Sequence, residues 1–273
     1  MNDATRPFRA AKATAIGNRE SNQDRCFFLD DGNSVLLGVA DGLGGHPRGE
    51  VAAQLFADVC ETRFRQTPRP LGDPESFMLE CIGRAHQAIR RFGSRQDPPI
   101  APRTTAVLAI IQDGIAHWAH VGDSRLYLSR DNRLTLQTRD HALVRYVRQS
   151  ADLPPRPRTS LTRCLGGLPQ PPTTTCGAPI PLHEGDALLL CTDGLWSQVP
   201  EQQLAKLLAA SPESLETALP ALIEEAAQTP GSDNVTAVAL VWTQAAVALP
   251  AALHDATLRD LPPPFEEIPD HKE

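Results

Sequence analysis

The sequence predicts an α+β protein in which two helix pairs cover a pair of packed sheets. Three observations carry that prediction. Short apolar runs bounded by turn residues, such as VLLGVAD, TTAVLAIIQ, ALLLCTD and NVTAVALVW, read as buried strands. Between them lie stretches whose apolar residues recur at helical spacing, in consecutive pairs. The order is strands, two helices, a run of strands, two helices and a closing strand, which excludes a simple alternating βαβ chain.

Taken in order, residues 8–16 alternate weakly and read as an opening strand. The polar segment GNRESNQDRCFFLDD follows and runs into a short strand over 26–29. The stretch VLLGVADGLGGHPRGE is a buried strand that stops at Asp41, a glycine cluster and the start of a helix. Val51, Ala52, Leu55, Phe56, Val59, Cys60 and Phe64 form that helix's apolar face. A second helix starts at Asp73-Pro74, where aspartate can cap and proline suits the first turn. Its face carries Phe77, Met78, Ile82, Ala85, Ile89 and Phe92. A meander follows, with reversals at Asp113-Gly114 and at Gly122-Asp123-Ser124-Arg125. His117 and His120 fall on opposite strand faces and read as ordinary strand residues.

Residues 140–153 suggest a short helix, and LPPRPRTSLTRCLGGLPQPP a surface excursion without fixed structure. The sheet resumes over 173–180 and at ALLLCTDGL. Helices from Glu201 and around Leu215–Ala226 precede the last strand, NVTAVALVW. Residues 1–243 are expected to form one domain. Residues 244–273, rich in alanine, proline and acids, read as a partly disordered tail.

The formal net charge of -7 argues against a nucleic-acid surface and offers nothing to an anionic membrane. No apolar run approaches the roughly 20 residues a membrane-spanning helix needs. The first residues lack a signal-peptide core, so a cytoplasmic location is expected. The six cysteines are scattered without a C-x-x-C pair, and read as reduced core residues.

The chemistry is signalled by Asp41. A carboxylate ending a buried strand needs a partner, because an isolated buried charge is very costly. ALLLCTDGL repeats the design and ends at Asp193. Two such strands side by side bring two anions into one small volume, where they are stable together only around cations. Ligation by oxygen alone points to hard ions such as Mg²⁺ or Mn²⁺.

With Asp24, Asp123 and Asp233, five acids stand at strand ends or turns. Together with RESNQD, VADGLGGHPRGE, GDSR, TRDH, CTDGLW and GSDNVT, in that order over residues 8–242, they make the chain resemble the bacterial PPM (type 2C) metal-dependent serine/threonine protein phosphatases. The resemblance implies a four-layer α-β-β-α sandwich with a binuclear Mn²⁺/Mg²⁺ centre at one edge of the sheets. It implies that Asp41 bridges two ions, that Asp193 and Asp233 complete the first site, and that the Gly42 carbonyl serves the second with Asp24 close by. Asp123 with Asp193 would hold a third ion, and Arg19 would grip the substrate phosphate. The implied partners are phosphorylated proteins and an opposing bacterial serine/threonine kinase.

The chain departs from many eukaryotic members in carrying Gln23 and Leu43 where those hold a glutamate and a histidine. His46, on the glycine loop, is the candidate for substrate binding or proton transfer. Arg156, Arg158 and Arg163 are candidates for meeting acidic or phosphorylated partners. Two other readings are weighed. A non-catalytic phosphoprotein-binding module would have lost metal carboxylates, and the central ones are all present. A dinucleotide site would need G-x-G-x-x-G, and Asp41 would repel a pyrophosphate.

Overall fold

The computed structural model describes residues 6–147 and 156–245. Two sheets stack face to face. One has the order β1-β13-β12-β6-β7 and the other β10-β5-β4-β3-β2, with β11 also pairing β5. In the first sheet the strands are β1 (Phe8–Ala15), β6 (Arg125–Arg130), β7 (Arg133–Gln137), β12 (Ala187–Cys191) and β13 (Val235–Trp242). The second holds β2 (Asp24–Asp30), β3 (Ser34–Asp41), β4 (Ala106–Gln112), β5 (Ile115–Val121), β10 (Thr175–Cys176) and β11 (Ile180–Pro181). Helices α1 (Gly49–Gln66) and α2 (Pro74–Ser94) cover the second sheet; α4 (Glu201–Leu208) and α5 (Leu215–Ala227) cover the first. A single turn, α3 (Asp193–Trp196), follows β12. The expected four-layer architecture is the one observed.

Strand parity explains the layers, because successive side chains point to opposite faces. On β3, Leu36 and Ala40 pack beneath α1 and α2 with Phe56, Cys60, Met78 and Ile82. Val35, Leu37 and Val39 face the other sheet, meeting Leu188, Leu190, Val238 and Leu240. Leu189, Cys191, Ala237 and Ala239 meet Leu204, Leu208, Leu219 and Ile223 of the second helix pair. Each fully buried aliphatic side chain contributes about 1.5–3 kcal/mol. Three such layers can hold an unfavourable cluster of charges at one edge.

The helix starts follow local chemistry. Asp73 caps α2 by accepting from the Ser76 N–H at 3.1 Å, and Pro74 occupies the first turn. Asp113-Gly114 turns the β4–β5 hairpin with both residues at positive φ.

Two expectations are corrected. Residues 140–153 do not open a helix: Ala142–Val147 forms β8, antiparallel to β9 (Arg156–Leu161). The β-branched and aromatic residues of ALVRYV favour an extended chain, and the partner strand fixes it. The proline-rich excursion therefore has structure of its own. Its Pro157 is tolerated because the hairpin stands apart as a two-stranded sheet. The segment 133–137, unassigned from sequence, is strand β7, and its exposed Arg133 shows how little apolar signal that edge strand carries. The tail beyond residue 245 lies outside the described residues.

Candidate metal centre

Parity that sorts the core also aims the first two carboxylates. Asp41 follows Val35, Leu37 and Val39 on the face turned toward the other sheet, and the β2–β3 register sets Asp24 directly opposite it. Asp193 stands two residues beyond β12, Asp233 two residues before β13, and Asp123 in the β5–β6 turn. Arg19, Asp41, Gly42, Asp123, Asp193 and Asp233 all line one cleft of about 600 Å³. Asp24 lies beneath that lining, buried beside Asp41. His46 sits farther along the glycine loop, outside the lining, with its N–H donating to the Leu43 carbonyl at 3.3 Å.

The backbone around these acids is tied down. The Asp41 N–H donates to Thr105 Oγ1 at 2.9 Å. Its carbonyl accepts from the Thr105 N–H at 2.9 Å and from Thr104 Oγ1 at 2.8 Å. Thr192 Oγ1 donates to Asp24 Oδ2 at 2.7 Å. Asn234 staples the 16–23 segment to the sheet: its Oδ1 accepts from the Gln23 N–H, and its Nδ2 donates to the Ile16 and Ser21 carbonyls.

Glycine is required where these segments meet. A Cβ on Gly42 would lie 2.4 Å from the Gly49 backbone, and one on Gly194 would lie 2.1 Å from the Asn234 carbonyl. Gly42→Ala is therefore expected to destabilise the fold by about 3 kcal/mol in urea unfolding, since neither backbone can retreat.

The electrostatics of the cleft are unfavourable to its own charges. Burial pushes Asp24 up to about 8, with Asp193 and Asp233 adding to the rise and hydrogen bonds from Thr192 and Thr236 opposing it. Burial, then repulsion from Asp24, Asp193, Asp123 and Asp233, raises Asp41 well above the usual carboxylate range. Asp193 is raised by burial and by Asp233, against a hydrogen bond with Asp41. Asp123 is pushed up to about 7 by burial and then by Asp193 and Asp140. These groups need positive charge. One cation is in place: Arg19 Nη2 donates to Asp233 Oδ2 at 2.6 Å. Among the described residues no three acidic, histidine or cysteine side chains are drawn into a finished metal cage. Carboxylate oxygens with a backbone carbonyl beside them are nonetheless the donor set that hard divalent ions take, so the residues fit Mn²⁺ or Mg²⁺.

Residues 13–229 match the family model described as Protein phosphatase 2C. The chain belongs to that family. The serine/threonine phosphatase stp of Listeria welshimeri is 30% identical over 227 residues, covering 80% of this chain and 89% of that one. The solved serine/threonine phosphatase of S. agalactiae has a TM-score of 0.72 at 27% identity, over 87% of this chain and 100% of that chain. The catalytic domain of the phosphatase PstP, solved with two manganese ions, has a TM-score of 0.69 at 29% identity, over 87% of this chain and 99% of that chain.

Behind the acids of this 2C-type phosphatase stands a layer that sequence reasoning missed. Arg125 forms a two-pronged ion pair with Asp140, at 2.9 Å on each oxygen, and its guanidinium lies 3.6 Å from the Trp196 ring centre. Trp196 Nε1 donates to the Asp123 carbonyl at 3.0 Å, so the stack holds the β5–β6 turn. The signals were present as GDSR, TRDH and CTDGLW, but pairing across them is not a local property. Arg125→Ala should cost about 2 kcal/mol in urea unfolding, below the roughly 3–5 kcal/mol of a fully buried pair because both side chains keep some exposure. His120, read as an ordinary strand residue, stacks on His141 with ring centres 4.3 Å apart. His141 in turn accepts from the Gly122 N–H through Nδ1 at 3.2 Å.

Proposed function

We propose that this phosphatase hydrolyses phosphoserine and phosphothreonine in proteins at a binuclear Mn²⁺/Mg²⁺ centre, opposing a bacterial serine/threonine kinase in the cytoplasm. The observation that carries the reading is Asp41: half-buried, pressed by four other carboxylates and lining an open cleft. Among the described residues no helix is long and apolar enough to cross a membrane. The catalytic domain is taken as residues 1–243.

Asp41, Asp193 and Asp233 would hold the first ion, and Asp41, the Gly42 carbonyl and Asp24 the second. Asp123 and Asp193 offer a third position. When bound, the ions would supply a water of lowered pKa and neutralise the phosphoryl oxygens. The chain's own part is to place groups. Thr104 and Thr105 fix the Asp41 backbone, so its carboxylate enters the cleft in one orientation. Arg19, on the cleft wall, presents a planar fork that matches two phosphate oxygens. Asp233 holds that fork ready at 2.6 Å and gives it up to an arriving dianion. No serine or cysteine nucleophile is needed.

The test is hydrolysis of a phosphothreonine peptide by the full chain with Mn²⁺ and with chelator. Turnover only with the ion supports the reading; equal rates in both overturn it.

A further inference from the structure

On the α1–α2 side of the cleft the surface changes character. The chain carries a formal net charge of -7, yet Arg90, Arg91 and Arg95 crowd the end of α2 and are all exposed. Arg84, earlier on the same helix, is paired with Glu80 at 2.6 Å. By contrast, among the described residues Arg91, Arg95 and Arg103 take part in no ion pair. Basic residues at a helix C-terminus complement its dipole, which accounts for one or two of them. It does not account for the hollow beside them.

That hollow, of about 280 Å³, has Leu55, Ala88 and Phe92 at its base and Arg91 and Arg95 at its rim. Arg48, paired with Glu50 at 2.8 Å, approaches it with its guanidinium 5.9 Å from the Phe92 ring centre. Arg48 holds a left-handed backbone, φ 62°, which disfavours a side chain by about 1–2 kcal/mol and persists only where the surroundings impose it. It lies three residues past Gly45, which lines the catalytic cleft, so a three-residue stretch of chain links the cleft wall to the residue beside Phe92. Arg103 stands behind the cleft wall, where its carbonyl accepts from the Leu43 N–H at 3.0 Å.

We infer that this arginine-rimmed hollow docks an acidic segment, anchored by one apolar side chain, that flanks the phosphorylated residue of the protein substrate. The charge selects carboxylates, and the Leu55–Phe92 base selects an apolar anchor over a nucleic-acid backbone. A segment that enters the cleft at Gly45 passes Arg48 within a few residues of extended chain. The inference rests on the phosphatase reading and names the class of substrate it prefers.

The test compares two phosphothreonine peptides that differ only in the flank: Glu and Asp around a leucine, or Gln and Asn around a serine. With the full chain, the acidic peptide should show kcat/KM about tenfold higher, mainly through KM, as expected for charge pairs at a docking rim. Arg91→Ala combined with Arg95→Ala should erase most of that preference and leave para-nitrophenyl phosphate hydrolysis unchanged. High salt should act in the same direction. Equal kcat/KM for the two peptides, or a preference that survives the double substitution, overturns the inference. Fluorescence anisotropy of the unphosphorylated acidic peptide separates the two readings. Arginine-dependent binding without any turnover sinks the phosphatase assignment and keeps the docking surface; binding indifferent to the arginines sinks the docking surface. If a photo-crosslinker at position 95 in the full chain captures the acidic residues 260–273, the hollow is filled from within and the inference fails.

Discussion

Asp41→Asn should lower Mn²⁺-dependent hydrolysis of a phosphopeptide by at least about a thousandfold, an effect on the scale of losing a central electrostatic stabiliser. The same substitution should make the metal-free protein more stable. Asp41 is raised by burial and by its acidic neighbours, so its charged form opposes folding when no cation is present. The sign follows for Asp24 as well, which stands at about 8 in the fold against 3.8 for the free side chain. The folded state binds the extra proton, so this contribution to stability is complete below about pH 4 and is lost as pH rises through 8. In chelator, the melting temperature should therefore fall between pH 5 and pH 8 on account of these groups. Asp41→Asn should raise it at pH 8 by about 3 °C, corresponding to about 1 kcal/mol for a domain of this size. A substitution that destroyed activity and also lowered metal-free stability at pH 8 would show that Asp41 is a structural residue.

Arg19→Ala should reduce kcat/KM by about a hundredfold or more, with Arg19→Lys recovering only part of it. Lysine keeps the charge but cannot present two parallel donors. Both residues lie in the cleft, and the contact with Asp233 at 2.6 Å is largely exposed, so its loss should change stability little. Steady-state kinetics on a phosphothreonine peptide, beside thermal melts, separate these outcomes. If Arg19→Lys equals the wild type, the two-pronged grip is not used.

What could be read from the chain was whatever repeats along it. Alternation on Val35–Val39 and the helical spacing of Phe56, Cys60 and Phe64 define the layers before any contact is known. Asp41 and Asp193 were visible because a carboxylate is out of place at the end of an apolar strand. The β8 strand was misread because Leu143, Val144 and Val147 satisfy helical spacing as well as extended structure, and only the pairing with β9 decides between them. Asn234, Thr192 and the Arg125–Asp140–Trp196 stack stayed hidden for a different reason. Each acts across more than a dozen residues of sequence, and polar residue types alone do not say which backbone they will meet.

The central claim is that five distant carboxylates form one pocket that divalent cations neutralise. Calorimetric titration of the metal-free full chain with Mn²⁺ near pH 7.5 tests it most directly. The account predicts at least two ions per chain, with proton release on binding as the raised carboxylates give up their protons, and loss of that binding in Asp41→Asn. A chain that takes up no Mn²⁺, or takes it up equally well in Asp41→Asn, would contradict it.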